Sequence, residues 1–207
     1  MQDIKGVVLA GGLGKRLGPL TKITNKHLLP IYDRPMIYHP IARLAESGIK
    51  DILIVTGGQH AGEFLRLLGN GHAFGLTHLN YTYQEGEGGI AEALGLAKHF
   101  AHGKRLVVIL GDNIFEKSLK PYVDRFRKQK TGARVLLKRV PDPERFGVAS
   151  LQGKKITSII EKPRNPKTDM AVTGVYMYDE TAFDIIRTLK PSGRGELEIT
   201  DVNNAYI

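Results

Sequence analysis

Apolar residues along this chain gather in two kinds of segment, and the two kinds alternate. Short runs without polar alternation occupy residues 6–10, 51–56 and 105–110. Runs of that length and composition read as strands buried on both faces, as in a parallel sheet. Residues 79–84, 133–140 and 171–178 read as further strands, and 148–160 as a hairpin turning at Gln152-Gly153-Lys154. Between the strands, apolar positions recur at helical spacing. The first such set is Met36, Ile37, Ile41 and Leu44, with Pro35 suited to a first helical turn and Gly48 to a stop. The others are 60–68, closed by Gly69, then 90–100, 119–129, 180–189 and 197–206. The alternation predicts an α/β fold: a doubly wound, mostly parallel (mixed) sheet with helices on both faces. A β-rich part follows it in the last third.

Length and composition narrow the class. At 207 residues the chain suits a single domain with its own core, and it contains no repeat or linker. No apolar run approaches the roughly 18 residues of a membrane span, and the start, Met1-Gln2-Asp3-Ile4-Lys5, does not read as a secretory signal. Cysteine is absent, which excludes disulfides and thiolate chemistry and suits a reducing cytoplasm. The net charge of +9 fits either nucleic acid or small polyanions. Basic residues are spread among acidic ones, with no basic stripe interleaved with aromatics and no tryptophan, so nucleic acid is not expected as a partner.

The candidate chemistry lies where strands end. After the first strand the chain reads Leu9-Ala10-Gly11-Gly12-Leu13-Gly14-Lys15-Arg16, opening a long loop to Pro30. Glycines there let backbone N–H groups approach a phosphate chain, although glycines also serve tight turns. The spacing matches neither a Walker loop nor a complete dinucleotide fingerprint. Arg16 and Lys26 add cations suited to a triphosphate, Arg16 being able to hold a leaving pyrophosphate bidentately; either also reads as an ordinary surface charge. Asp112 follows the strand at 105–110, at the sheet edge where open α/β folds bind ligands, and there it suits Mg²⁺ as well as a simple turn. His99 and His102 share a predicted helix face and read as a surface pair.

Taken together, several runs resemble the sugar nucleotidyltransferases, and among them the shorter glucose-1-phosphate thymidylyltransferases. They are residues 11–21, Asn25-Lys26-His27-Leu28-Leu29-Pro30, Gly89-Ile90-Ala91-Glu92-Ala93-Leu94, Gly111-Asp112-Asn113, 142–148, Glu161-Lys162-Pro163, Ala171-Val172-Thr173-Gly174 and 195–203. The resemblance covers essentially the whole chain and implies a Rossmann-like nucleotidyltransferase fold. Residues up to about 140 would form a nucleotide-binding part and about 141–207 a sugar-phosphate-binding part. It implies transfer of a deoxythymidylyl group from dTTP to glucose-1-phosphate, giving dTDP-glucose, a precursor of deoxysugars such as dTDP-rhamnose for surface polysaccharide. Arg16, Lys26 and Lys162 would be the catalytic cations. Leu9, Gly11, Gly12, Gly14, Lys15, Gln84, Gly89 and Asp112 would hold the nucleotide, with Asp112 also binding Mg²⁺. Gly147, Glu161, Lys162, Val172 and Glu196 would hold the sugar phosphate. No general base is expected, because the attacking phosphate is already anionic; His27 is therefore left without a chemical role.

Two features depart from that family. Lys15 stands where many members carry Thr. The family also takes a second metal-binding aspartate from a segment beyond residues 201–203, which this chain does not reach, so a shortened form of low turnover is expected. The resemblance further implies a homo-tetramer. The alternatives are a uridylyl- or other nucleotidyltransferase acting on a different sugar phosphate, and a catalytically idle sugar-nucleotide-binding protein.

Overall fold

The apolar runs do form the strands of one sheet. The computed structural model describes residues 4–153 and 155–207, so Met1, Gln2, Asp3 and Lys154 of the predicted turn lie outside it. In chain order the strands and helices are β1 (Ile4–Ala10), β2 (Pro30–Ile31), β3 (Arg34–Pro35), α1 (Tyr38–Glu46), β4 (Asp51–Gly57), α2 (Ala61–Leu68) and β5 (His78–Gln84). Then come α3 (Ile90–Gly95), α4 (Lys98–Ala101), β6 (Arg105–Leu110), α5 (Lys120–Lys128) and β7 (Arg134–Arg139). The chain finishes with β8 (Gly147–Gln152), β9 (Lys155–Glu161), β10 (Met170–Tyr178), α6 (Thr181–Thr188) and α7 (Ile199–Ala205).

Among the described residues eight strands make a mixed sheet in the order β5-β4-β1-β6-β10-β8-β9, with β7 paired to β10. The first four run parallel. The later strands pair antiparallel, so the β-rich last third extends the same sheet. Successive side chains of a strand point to opposite faces, and β1 shows the consequence. Val8 and Ala10 join a core with Ile41 and Leu44 of α1, Phe64 of α2 and Phe126 of α5. Val7 and Leu9 join a second core with Leu94 of α3, Phe183 and Ile186 of α6 and Val202 of α7. Two cores on two faces are what double winding requires, and each fully buried large apolar side chain contributes roughly 1.5–3 kcal/mol.

Three expectations need correction. Pro35 opens no helix: with Arg34 it pairs antiparallel with Pro30 and Ile31 in a short hairpin turning at Tyr32-Asp33, and α1 begins later, at Tyr38. The helix expected over 90–100 is two short helices, α3 ending at Gly95 and α4 starting at Lys98. Leu96 and Ala97 lie between them. His102 does not share a helix face with His99, because it lies past the end of α4 with φ of 48°. The loop after β1 also contains three 3-10 turns, Lys15–Leu17, Leu20–Lys22 and Lys26–Leu28.

Arg105, at the start of β6, ties the sheet to α5. It is buried, and its guanidinium donates to the carbonyls of Phe126 (2.7 Å), Gln129 (2.6 Å) and Arg127 (3.0 Å) while lying over the Phe126 ring. They belong to the last turn of α5 and the residue after it, where Phe126 also accepts from Gln129 N–H, and a cation there suits the helix dipole. We predict that Arg105→Ala costs about 3 kcal/mol in urea unfolding, since buried acceptors of charge-assisted bonds lose their donor. Arg105→Lys should recover only part of it, because one ammonium cannot span three carbonyls in a plane.

Candidate functional site

The carboxyl ends of β1, β5 and β6 open onto one pocket of about 260 Å³. Gly11 and Gly12 follow β1, Gln84 closes β5, Gly86, Glu87 and Gly89 follow it, and Leu110 and Asp112 leave β6. This is the position where open α/β sheets take ligands. Leu9, Lys26, His27 and Glu196 complete much of the lining. Of the residues expected to hold a nucleotide, Leu9, Gly11, Gly12, Gln84, Gly89 and Asp112 therefore meet in one place.

Lys26 is set there by the glycine loop. Gly14 has φ of 65°, and a Cβ on it would come within 2.8 Å of Lys26 Cβ; one on Gly12 would lie 3.6 Å from the ammonium nitrogen. The Lys26 stem thus lies across the loop, and its ammonium meets Asp112 Oδ2 at 2.6 Å. Asn113 donates to the other carboxylate oxygen at 3.1 Å. Burial opposes ionisation of Asp112, yet the hydrogen bond and charge of Lys26 outweigh it and hold the carboxyl below its usual range. Asn113 also accepts from the Gly174 backbone N–H at 3.1 Å, and its side chain fills the space a Cβ on Gly174 would need. That contact anchors the Asp112 loop to β10.

His27 is enclosed, packed against Gly111, and its Nδ1 lies 2.7 Å from Asn25 Oδ1. Burial first, then the neighbouring Lys26 charge, lower its pKa to about 3, so the ring is neutral at ordinary pH. Its place in the packing explains the residue without any proton transfer.

Gln84 is buried beneath the pocket, and its Nε2 donates to the Gly89 carbonyl at 3.2 Å. Gly89 has φ of 100°, and a Cβ on it would strike the Leu197 carbonyl at 2.5 Å. The backbones zip together here: Leu197 N–H donates to Gly88 (2.8 Å) and Ala91 N–H to Leu197 (3.1 Å). Glu196 is carried into the pocket wall by that zip.

The residues expected to hold a sugar phosphate gather one step away. Glu161, ending β9, accepts from Thr200 Oγ1 at 2.5 Å, and Gly147 lies against both. Lys162, at φ of 41°, holds its ammonium 3.8 Å from Glu161. Val172 packs into the core behind β10, half-buried. Sequence reasoning missed Arg194. Its guanidinium binds Glu198 at 2.7 Å and lies 3.7 Å from both Glu161 and Glu196, so two cations share the Glu161 carboxylate. A basic residue between two glycines, Gly193-Arg194-Gly195, was the available signal. Asn203 and Asn204 of the last motif are structural. Asn203 accepts from Tyr178 (2.6 Å), and Asn204 bonds both the N–H and the carbonyl of Ile159.

Two expected residues stand apart. Arg16 is exposed in a 3-10 turn with no ion-pair partner among the described residues. Lys15 pairs with Glu87 across the pocket rim. Among the described residues no group of three or more His, Asp or Glu side chains could hold a metal alone, and no helix is long and apolar enough to cross a membrane.

This arrangement has close counterparts. A glucose-1-phosphate thymidylyltransferase of Neisseria meningitidis is 44% identical over 206 residues, 99% of this chain and 71% of that protein. A Bacillus anthracis structure, provisionally designated a glucose-1-phosphate thymidylyltransferase and crystallised with sucrose, superposes with a TM-score of 0.93. It is 55% identical, over 98% of this chain and 82% of its own. A UDP-glucose pyrophosphorylase in complex with UDP-glucose shares the fold, with a TM-score of 0.84 at 23% identity, over 99% of this chain and 86% of its own. The family model for nucleotidyl transferases matches residues 5–207, and with relatives this similar across nearly its full length the chain belongs to that family.

Proposed function

We propose that the protein transfers the deoxythymidylyl group of dTTP to glucose-1-phosphate, releasing pyrophosphate and forming dTDP-glucose. The observation that carries this reading is the pocket at the carboxyl edge of the sheet, where a glycine loop, the Lys26–Asp112 pair and Gln84 meet. The Glu161–Lys162–Arg194 cluster lies beside it, next to Glu196 of the pocket wall, which the Gly89–Leu197 contact holds in place. In this reading residues to about 140 serve the nucleotide, and about 141–207 the sugar phosphate. The thymine lies against Gln84 and Gly89, and the triphosphate runs over Gly11, Gly12 and Gly14. Lys26 meets the α-phosphate, and Arg16, exposed and free to swing in, takes the leaving pyrophosphate with Lys15 beside it. Lys162 and Arg194 hold the phosphate of the sugar, while Glu161, Glu196, Gly147 and Val172 form the sugar's surroundings.

The chemistry is an in-line displacement. A phosphate oxygen of glucose-1-phosphate attacks the α-phosphorus as the bond to pyrophosphate breaks on the far side. The residues contribute alignment and charge neutralisation, which suffice for phosphoryl transfer of this kind. No group need remove a proton, consistent with a neutral, enclosed His27. The donor set at Asp112 fits Mg²⁺, which is commonly held by one or two carboxylates plus substrate phosphates. When bound, the ion would offset charge on the triphosphate. Asp112 is its ligand in this reading, kept ionised by Lys26. We extend the proposal to a cytoplasmic homo-oligomer, four copies by family resemblance.

The test is pyrophosphate release with dTTP, Mg²⁺ and glucose-1-phosphate, each omitted in turn. Release is expected only with all three, and faster with dTTP than with UTP, CTP or GTP; release without the sugar phosphate would refute the reaction. Asp112→Asn should lower turnover by about 100-fold or more. Its midpoint in thermal unfolding should barely change, because a partly exposed ion pair contributes only about 0–1 kcal/mol. Undiminished turnover would remove Asp112 from the metal site.

A further inference from the structure

We propose that Glu92 is a positioning residue that fixes which end of the Gln84 carboxamide faces the nucleobase, and so sets the preference for thymine over cytosine. The proposal rests on the nucleotide site described above and adds to it the residue that orients its reader.

A carboxamide has a donating and an accepting end of nearly equal size, so its orientation depends on what surrounds it. Both neighbours of the Gln84 nitrogen are acceptors: the Gly89 carbonyl at 3.2 Å and Glu92 Oε1 at 3.5 Å. The second contact is long for a hydrogen bond, and its force is mainly that of a negative charge on an amide dipole in a half-buried place. A reversed amide would put its oxygen against both acceptors. The present orientation commits both N–H groups to the protein and leaves the Oε1 end toward the nucleotide loop, where it would lie 2.6 Å from a Cβ on Gly11. No donor among the described residues reaches that oxygen. An acceptor so presented matches the N3–H of thymine or uracil, whereas cytosine has a lone pair at N3.

Glu92 is held to this task by a second feature. Its Oε2 lies 1.1 Å from where a Cβ on Gly88 would be, so the carboxylate occupies space that only glycine leaves open. The φ of Gly88 is outside the left-handed region, unlike that of Gly89, so backbone conformation does not account for this glycine. Glu92 has no ion pair among the described residues, and within hydrogen-bonding range its carboxylate has only Gln84. A side chain spent on a salt bridge or a helix cap would have other partners.

Two substitutions separate this role from simple packing. Glu92→Gln preserves shape but lets the side chain turn either half toward Gln84; Gly88→Ala leaves the carboxylate in place chemically and displaces it sterically. Equilibrium binding of dTTP and of dCTP, each with Mg²⁺, is measured by calorimetry for the unaltered protein and both variants, which requires no turnover. The unaltered protein is expected to prefer dTTP, and both variants to lose about tenfold of that preference, about 1.4 kcal/mol, mainly through weaker dTTP binding. An unchanged dTTP-to-dCTP ratio in both variants, or an equal loss for both nucleotides, would overturn the proposal. Failure of the unaltered protein to bind dTTP would instead refute the nucleotide site itself, and this inference with it.

Discussion

The ion pair between Lys26 and Asp112 is the interaction on which the site depends. Its two halves come from segments 86 residues apart, one on the long loop after β1 and the other just beyond β6. The pair forms because Gly14 leaves room for the lysine stem and because Asn113 fastens the Asp112 loop to Gly174 of β10. Without Gly14 the stem would have to rise off the loop. Without the Asn113 anchor the carboxylate would be free to turn away. The pair also settles the charge state of the pocket: Lys26 keeps Asp112 ionised and, with burial, keeps His27 neutral. A carboxylate held ionised beside a cation is a preorganised polar pair.

A second constraint joins the two halves of the molecule. Gly89 lies so close to the Leu197 carbonyl that no side chain fits, and hydrogen bonds on either side hold the strands of backbone together. The segment carrying Arg194 and Glu196 is thereby docked against the loop that follows Gln84 at the end of β5. Farther along, α7 is pinned by Tyr178 to Asn203 and by Asn204 to β9, with Tyr178 stacked between Tyr176 and Tyr206 at 6.1 and 5.7 Å.

Much of this was legible in the chain. Unbroken Val-Leu-Ile runs produced β1, β4 and β6, since a strand buried on both faces needs no polar alternation. Candidate positions at strand ends converged because parallel strands aim their carboxyl ends at one edge. The misses have physical causes. Pro35 suits an extended hairpin as well as a helix start, and only pairing with Pro30 decides between them. Residues 90–100 have helical spacing, and that spacing does not reveal the break at Leu96-Ala97 between α3 and α4. Arg194 was missed because its approach to Glu161 comes only through a tertiary contact, although Glu198 lies just four residues on. The position of Gln84 at the end of a strand did not reveal that in the fold its donor end is already engaged by Gly89.

The central claim is that one continuous site holds nucleotide and sugar phosphate on either side of the Gly89–Leu197 contact. A crystal structure of the protein with dTDP-glucose tests it most directly, since product binding does not require turnover. The account predicts thymine against Gln84 and Gly89, the diphosphate beneath Lys26 and Lys162, and glucose beside Glu161. Thymine bound away from Gln84, or glucose on the far side of the sheet from Glu161, would contradict it.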